Sequence, residues 1–160
     1  MTNEKDEKQT SARARLQCRD IMTRNVTAAT REMTLQAIAA LMREGDCGAL
    51  PIVDESNKLV GIVTDRDIVV RAIADAQESQ TQVGDVMTTE LFTVSEDDFV
   101  FQAIRLMGDK QIRRLPVVAE DGSLQGIVSM ADIALEMEDE REIAEALEEI
   151  SSGAAFWRKG

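Results

Sequence analysis

Two short segments of the chain place a hydroxyl and a carboxylate three residues apart. The sequence G-I-V-T-D-R-D puts Thr64 before Asp67, and G-I-V-S-M-A-D puts Ser129 before Asp132. Each pair is expected at the end of a strand and in the first turn of the helix that follows it. There the hydroxyl, the free N–H groups and the helix dipole suit a phosphate. The carboxylate suits the two hydroxyls of a ribose, so each segment has the groups for a sugar-phosphate site.

The same spacing has a second interpretation. A Ser or Thr followed three residues later by an acidic residue is an ordinary capping box, which begins a helix and need not bind anything. A glycine three residues before each hydroxyl, Gly61 or Gly126, permits another part of the backbone to approach closely. The residues alone leave both interpretations open.

A pair of arginines is the second feature whose side chains could bind a ligand. In Q-I-R-R-L-P, Arg113 and Arg114 directly precede an apolar run that is expected to form a strand beside the same site. A guanidinium group matches the oxygens of a phosphate well. The first half of the chain has Gly48 and Ala49 at the corresponding positions, so the two halves are chemically unequal. The alternative is that the arginines are surface charges on an acidic protein.

An internal repeat organises the chain. Residues 20–68 align without a gap on residues 85–133, at an offset of 65 residues. The matching segments are D-I-M-T with D-V-M-T, L-P-I-V with L-P-V-V, and L-V-G-I-V-T-D-R-D-I with L-Q-G-I-V-S-M-A-D-I. Self-similarity of this kind indicates a duplicated structural unit.

Each copy is predicted to fold as β-α-β-β-α. Apolar residues recur at helical spacing after a polar start, which in the second copy is the segment Ser95–Asp98. Two short runs rich in β-branched residues follow, separated by a four-residue turn, Asp54–Asn57 or Ala119–Gly122, and they predict a hairpin. A second helix then begins after Thr64 or Ser129. A short extended piece is expected near residues 26–29 and 92–94.

The predicted fold class is α/β (α+β), with two such repeats related by a pseudo-twofold axis and their sheets packed face to face. One unit is too small for a stable core of its own, and the cleft between the halves is the expected pocket. The expected organisation is a tail at residues 1–15, repeats at 16–76 and 77–137, and an acidic C-terminal helix and tail at 138–160. An apolar stripe on that helix is expected to pack on the protein itself or on a partner; its residues are Ile143, Ala146, Leu147 and Ile150.

Composition and charge exclude several classes of function. The chain has 30 acidic and 18 basic residues and a net charge of −12, which argues against binding nucleic acid. No apolar run approaches the roughly 20 residues of a membrane span, and no secretory signal is expected, so the predicted location is cytoplasmic. Two cysteines and no histidine leave no pattern typical of a zinc site.

An enzymatic function is not predicted. The chain has no histidine, no G-x-S-x-G motif, no phosphate-binding loop of the G-x-x-x-x-G-K-[ST] type and no cysteine with an evident base partner. Acidic residues are numerous, yet a catalytic pair of carboxylates cannot be told apart from the solvated face of a helix.

The order of these motifs resembles the cystathionine-β-synthase-type (CBS) domain, and two in tandem resemble a Bateman module. The resemblance covers residues 18–137. The chain is similar to the stand-alone CBS-pair proteins of bacteria. It implies a regulatory module that binds an adenine nucleotide, of the AMP, ADP, ATP, NAD or S-adenosylmethionine class, without a metal. It also implies a homodimer and a possible client protein. The alternative is a protein-interaction or structural module whose nucleotide pockets are vestigial.

The resemblance also implies roles for individual residues. The hydroxyl and the carboxylate bind phosphate and ribose, and the residues two and three before the proline face the phosphate. The base lies against the segments that begin at Thr23 and Thr88. The ligand-binding candidates are Thr64, Asp67, Arg66, Ser129, Asp132, Arg113, Arg114, Thr23 and Thr88.

Overall fold

The computed structural model describes residues 15–136 and Glu148. Helices flank two pairs of consecutive strands, and each pair forms an antiparallel hairpin, β1–β2 or β3–β4. The strands are β1 (Ala49–Val53), β2 (Leu59–Thr64), β3 (Arg114–Val118) and β4 (Leu124–Ser129). The helices are α1 (Cys18–Ile21), α2 (Leu35–Gly45), α3 (Asp65–Asp67), α4 (Val100–Lys110) and α5 (Met130–Glu136). Helix α3 continues in π form over Ile68–Ile73, and a 3-10 turn covers Val83–Asp85. The predicted fold class of helices and hairpins is confirmed.

The chain divides into two compact units whose limits differ from those of the sequence repeats. We call them the Thr64 unit, residues 25–91 and 118–124, and the Ser129 unit, which holds the remaining described residues. The D-I-M-T segment, residues 20–23, therefore belongs to the unit that contains the second hairpin's Ser129. Its counterpart, residues 85–88, belongs to the unit that contains Thr64. Each unit therefore contains the D-I-M-T or D-V-M-T segment with which the other repeat begins.

In the Thr64 unit, Leu50 of β1 pairs with Val63 of β2, and the register shifts between Ile52 and Val53. Ala29 extends this sheet by a parallel bridge to Ile52. Alternate residues of a strand point to one face, which explains why the buried residues of β2, Gly61 and Val63, are separated by one residue. The core of this unit consists of Ala29, Leu35, Ile38, Met42, Leu50, Ile52, Val63, Ala72, Val83, Val86 and Met87.

The Ser129 unit repeats this plan around β3 and β4. Val94 forms the parallel bridge, here to Val117. Cys18 and Met22, from the start of the described chain, lie in this core. They do not belong to the core of the Thr64 unit, whose residues follow them in sequence. The full core is Cys18, Met22, Val94, Val100, Ala103, Ile104, Met107, Leu115, Val117, Val128, Met130 and Ile133.

The long helices begin in different ways. Thr34 caps α2, because its hydroxyl oxygen accepts a hydrogen bond from Ala37 N at 3.2 Å. Helix α4 was expected to start at Ser95–Asp98, but it begins at Val100. Asp98 Oδ2 accepts from Ser95 N at 2.7 Å and closes a turn before the helix. The N–H of Phe99, the N-cap residue of α4, donates to Gln102 Oε1 at 2.8 Å. The Ser and the acidic residue therefore form a turn, and the expected helix start was wrong.

Two further points concern the cysteines and the C-terminus. Cys18 is buried, Cys47 is half-buried, and both are free thiols. The apolar stripe that contains Ile143 and Ile150 lies outside the described residues. Among the residues that the structure describes, no helix is both long enough and apolar enough to cross a membrane.

Candidate functional site

In the Thr64 unit, the hydroxyl and the carboxylate bind each other's backbone. Thr64 Oγ1 accepts a hydrogen bond from Asp67 N at 3.1 Å, and Asp67 Oδ2 accepts one from Thr64 N at 2.9 Å. This reciprocal pair is a capping box, and it begins α3 where β2 ends. The capping interpretation of the motif is therefore correct for this copy.

The Ser129 unit contains the same arrangement. Ser129 Oγ accepts from Asp132 N at 3.1 Å, and Asp132 Oδ2 accepts from Ser129 N at 3.2 Å. Side chains of both pairs are half-buried. Because the two boxes have nearly the same geometry, the local fold of the motif does not depend on which residues follow the hydroxyl.

A capping box does not use all the hydrogen-bonding capacity of either side chain. Each hydroxyl acts as an acceptor in the box, and among the described residues its own hydrogen has no acceptor. Each carboxylate uses one lone pair of Oδ2, while a carboxylate has about four acceptor positions. The box therefore fixes the orientation of Thr64 and Asp67, and of Ser129 and Asp132, and leaves a donor and acceptors free for a ligand.

The glycine of each motif allows a neighbouring segment to lie against the second strand. A Cβ added at Gly61 would be 2.6 Å from Met87 Sδ, and one added at Gly126 would be 2.6 Å from Thr23 O. Any side chain at these positions would meet the M-T dipeptide that packs there. The close backbone approach expected from the sequence is present in both units.

That approach brings Thr88 and Thr23 to the candidate sites. Thr88 and Ile62 exchange N–H···O bonds of 2.8 and 3.0 Å, two residues before Thr64 in β2. Thr23 and Ile127 exchange bonds of 2.9 and 3.0 Å, two residues before Ser129 in β4. Thr23, from the first repeat, thus lies beside the strand that ends at Ser129 of the second repeat. Thr88, from the second repeat, lies beside the strand that ends at Thr64 of the first.

Arg71 is a residue that the sequence analysis missed. Its Nε lies 3.8 Å from Asp67 Oδ1, and its Nη1 donates to Val86 O at 3.3 Å and to Met87 O at 3.4 Å. Arg71 thus links the candidate carboxylate to the segment that ends at Thr88. The signal in the sequence was its position four residues after Asp67, a spacing at which helical side chains meet.

The other candidate arginines are exposed. Arg113 and Arg114 stand at the start of β3, and Arg113 O accepts a hydrogen bond from Met130 N at 2.8 Å, so the pair adjoins the start of α5. Among the described residues neither makes an ion pair. Arg66 lies within the first capping box, where its backbone N donates to Asp65 Oδ1 at 2.8 Å.

Comparison with known proteins identifies the class. The model of the CBS domain family matches residues 18–73 and again residues 83–139. Hypoxic response protein 1 of Mycobacterium tuberculosis is 39% identical over 117 residues, which are 72% of this chain and 81% of that protein. Its crystal structure with two coordinated zinc ions aligns with a TM-score of 0.70, 38% identity, and coverage of 76% of this chain and 98% of that one.

Two further solved structures contain adenosyl ligands. The CBS domain pair of protein MJ0100, in complex with 5′-methylthioadenosine and S-adenosyl-L-methionine, is 30% identical with a TM-score of 0.69, covering 75% of this chain and 94% of that one. CBSX2 in complex with AMP is 28% identical with a TM-score of 0.68, covering 76% of this chain and 95% of that one. This chain belongs to the CBS domain family and carries two copies of the domain.

The solved structure of hypoxic response protein 1 holds two zinc ions, and histidine is the commonest metal ligand in proteins. The chain contains no histidine. Within residues 15–136, no group of three or more Cys, Asp or Glu side chains is placed to hold a metal ion.

Proposed function

We propose that this chain is a regulatory module that binds an adenosyl ligand through the hydroxyl–carboxylate pair of each unit. The observation that carries the proposal is the geometry of the two capping boxes. Each fixes a hydroxyl and a carboxylate beside the M-T segment, with a donor and acceptors left over. Two solved relatives with the same fold hold AMP, 5′-methylthioadenosine and S-adenosyl-L-methionine, which all contain an adenosyl group.

The proposed contacts follow from the free groups. The Thr64 hydroxyl donates to the 5′ substituent of the ligand, or to its phosphate where it has one. Asp67 accepts from the ribose hydroxyls through Oδ1 and the unused lone pair of Oδ2. Ser129 and Asp132 act in the same way in their unit. The backbone at Thr88 or Thr23 lies along the neighbouring strand and forms one wall for the base.

The role is regulatory, because the described residues offer positioned hydrogen-bonding groups and no nucleophile with an adjacent base. A ligand that binds one conformation better shifts the population towards it by its difference in affinity. In the Thr64 unit, such a ligand would contact both Asp67 and the neighbourhood of Thr88, which Arg71 already connects. We propose that a client protein or a second copy of the chain reads this change. The cytoplasmic location expected from the sequence remains a prediction.

Thermal unfolding with a panel of AMP, ADP, ATP, NAD, S-adenosylmethionine and 5′-methylthioadenosine tests the proposal. A ligand at 100 times its dissociation constant stabilises the folded state by about 2.7 kcal/mol. For a domain of this size that raises Tm by several degrees. Asp67→Asn with Asp132→Asn should greatly reduce the shift, since an amide keeps the cap but loses the charged acceptor. Asp75→Asn, an exposed position after the π-helix, is the matched control.

A second candidate function has its own observation. Val69, Val70 and Ile73 are exposed apolar side chains on the π-helix, with exposed fractions of 55%, 53% and 67%. They favour an interaction module whose capping boxes only begin helices. In that case no compound of the panel shifts Tm, and Val70→Asp with Ile73→Asp weakens association measured by analytical ultracentrifugation.

A further inference from the structure

The two candidate sites differ at one pair of facing positions. In the Thr64 unit these positions hold Gly48 and Asp65. Asp65 N donates to Gly48 O at 2.9 Å, and a Cβ added at Gly48 would lie 3.0 Å from Asp65 Oδ2. Position 48 therefore points at the side chain of the first residue of α3, the one directly after the Thr64 hydroxyl. Because Gly48 has no side chain, the carboxylate occupies this place.

In the Ser129 unit the corresponding positions hold Arg113 and Met130. Met130 N donates to Arg113 O at 2.8 Å, the same backbone bond as in the other unit. Met130 is buried with an exposed fraction of 5%, while Arg113 is exposed. Since the backbone relation is the same, position 113 faces the first residue of α5, directly after the Ser129 hydroxyl. An arginine and an apolar side chain thus replace a glycine and a carboxylate.

The remaining charges do not remove this difference. Arg71 in the Thr64 unit is already engaged by Asp67 and by two backbone carbonyls. Arg66 follows Asp65 directly in sequence, and adjacent residues of a helix do not face each other, so Arg66 does not neutralise the Asp65 carboxylate where position 48 faces it. In the Ser129 unit, Arg114 adds a second positive charge beside Arg113, and the described residues provide neither of them with an ion-pair partner. Anionic groups are attracted next to Ser129 and repelled next to Thr64.

We infer that the two sites take different ligands. The Ser129 unit binds an adenosyl ligand with a 5′-phosphate, and the Thr64 unit binds one whose 5′ substituent is neutral or cationic, such as a thioether or a sulfonium. The inference rests on the proposed function and adds the ligand class of each site. The arginine makes charge-assisted hydrogen bonds to phosphate, and the aspartate places a negative charge where the phosphate would lie.

Isothermal titration of the full chain with AMP and with 5′-methylthioadenosine tests this. We expect one strong AMP site per chain, which Asp132→Asn weakens at least ten-fold and Asp67→Asn leaves intact. Arg113→Gln should weaken AMP about ten- to a hundred-fold, the range for loss of a hydrogen bond to a charged group. The same change should leave 5′-methylthioadenosine within about two-fold. Arg43→Gln, at an exposed position near the end of α2, is the control for loss of a positive charge.

The reciprocal experiment changes the Thr64 unit. Asp65→Asn should strengthen AMP at this second site about ten-fold, because a like charge is removed. Gly48→Arg with Asp65→Met, which copies the residues of the Ser129 unit, should create a second strong AMP site. Circular dichroism and the 5′-methylthioadenosine titration show whether the variants are folded; if the double variant does not fold, Asp65→Asn alone decides.

The outcomes separate the inference from the proposed function. If AMP binds and Asp67→Asn and Asp132→Asn weaken it equally, or if Asp65→Asn leaves AMP affinity unchanged, the inference is wrong while the proposed function stands. If neither compound binds the native chain, the inference is wrong; the proposed function is wrong as well only if no compound of the thermal-unfolding panel shifts Tm.

Discussion

The Thr64 unit and the Ser129 unit share a framework and differ in what surrounds it. In both, a hydroxyl and a carboxylate close a capping box, and a glycine lies against an M-T segment. These features are needed for folding in any case. The facing positions, Gly48 with Asp65 in one unit and Arg113 with Met130 in the other, are free of that requirement. We propose that the hydroxyl, the carboxylate and the glycine build each site, while the residues at the facing positions choose its ligand.

The glycines offer the largest expected difference between the units. Gly126→Ala places a Cβ against Thr23 O, a backbone atom, whereas Gly61→Ala first meets Met87 Sδ, the flexible part of a side chain. Overpacking against fixed atoms costs about 1–3 kcal/mol, so we expect about 3 kcal/mol for Gly126→Ala and about 1 kcal/mol for Gly61→Ala. Urea denaturation measures both.

Gly45→Ala, near the end of α2, serves as the control for these glycine changes. Its Cβ would meet only Cys47 Sγ at 3.4 Å, so stability should not fall. Equal losses for Gly61→Ala and Gly126→Ala would show that the M-T segments are held alike in the two units.

The two units also differ in the burial of their cysteine thiols. Burial, together with the nearby carboxylate of Asp98, raises the pKa of Cys18 to about 11 from its ordinary value of 9.0. The thiol of Cys18 therefore stays protonated to a higher pH in the folded state than in the unfolded state. The resulting stability is fully present below pH 9 and is lost as pH rises from 9 to 11, by up to about 2 kcal/mol.

Measurement of unfolding free energy at pH 8 and pH 10.5 checks this, with Cys18→Ala removing the Cys18 contribution. At pH 8 a thiol reagent should modify the half-buried Cys47 of the Thr64 unit well before Cys18 of the Ser129 unit. Rapid modification of Cys18 in the native protein would contradict the packing described for that core.

The capping hydroxyls give the smallest effect, and here the units should agree. Thr64→Ala and Ser129→Ala each remove one acceptor for a helix N–H, at a cost of about 1 kcal/mol. Thermal or urea unfolding of the two single variants provides the measurement. A cost in only one unit would mean that the framework is not shared after all.

Much of the fold could be predicted from the sequence, because it is local. The runs around Leu50–Val53 and Leu115–Val118 fixed the hairpins to within one residue, and the capping hydroxyls marked where α3 and α5 begin. The extended pieces near Ala29 and Val94 are present only as single bridges. The start of α4 was missed, because Ser95 and Asp98 have the composition of a cap and also of a turn.

The exchange of segments could not be predicted. An alignment of the repeats shows that residues 20–23 resemble residues 85–88, but both copies have the same pattern and fit either glycine. Only packing decides that Thr23 lies beside β4 and Thr88 beside β2. The role of Arg71 was also hidden, since it depends on carbonyls brought close by that exchange and has Glu136 as its counterpart in the repeat.

We propose that the carboxylate of each box binds the ribose of an adenosyl ligand. Titrating AMP and 2′,3′-dideoxy-AMP into the native chain and into Asp67→Asn with Asp132→Asn tests it as a thermodynamic cycle. We predict that loss of the two hydroxyls weakens binding at least ten-fold in the native chain and hardly at all in the double variant. If the native chain binds both compounds equally, or if the variant weakens both to the same extent, the carboxylates do not bind the ribose and the account is wrong.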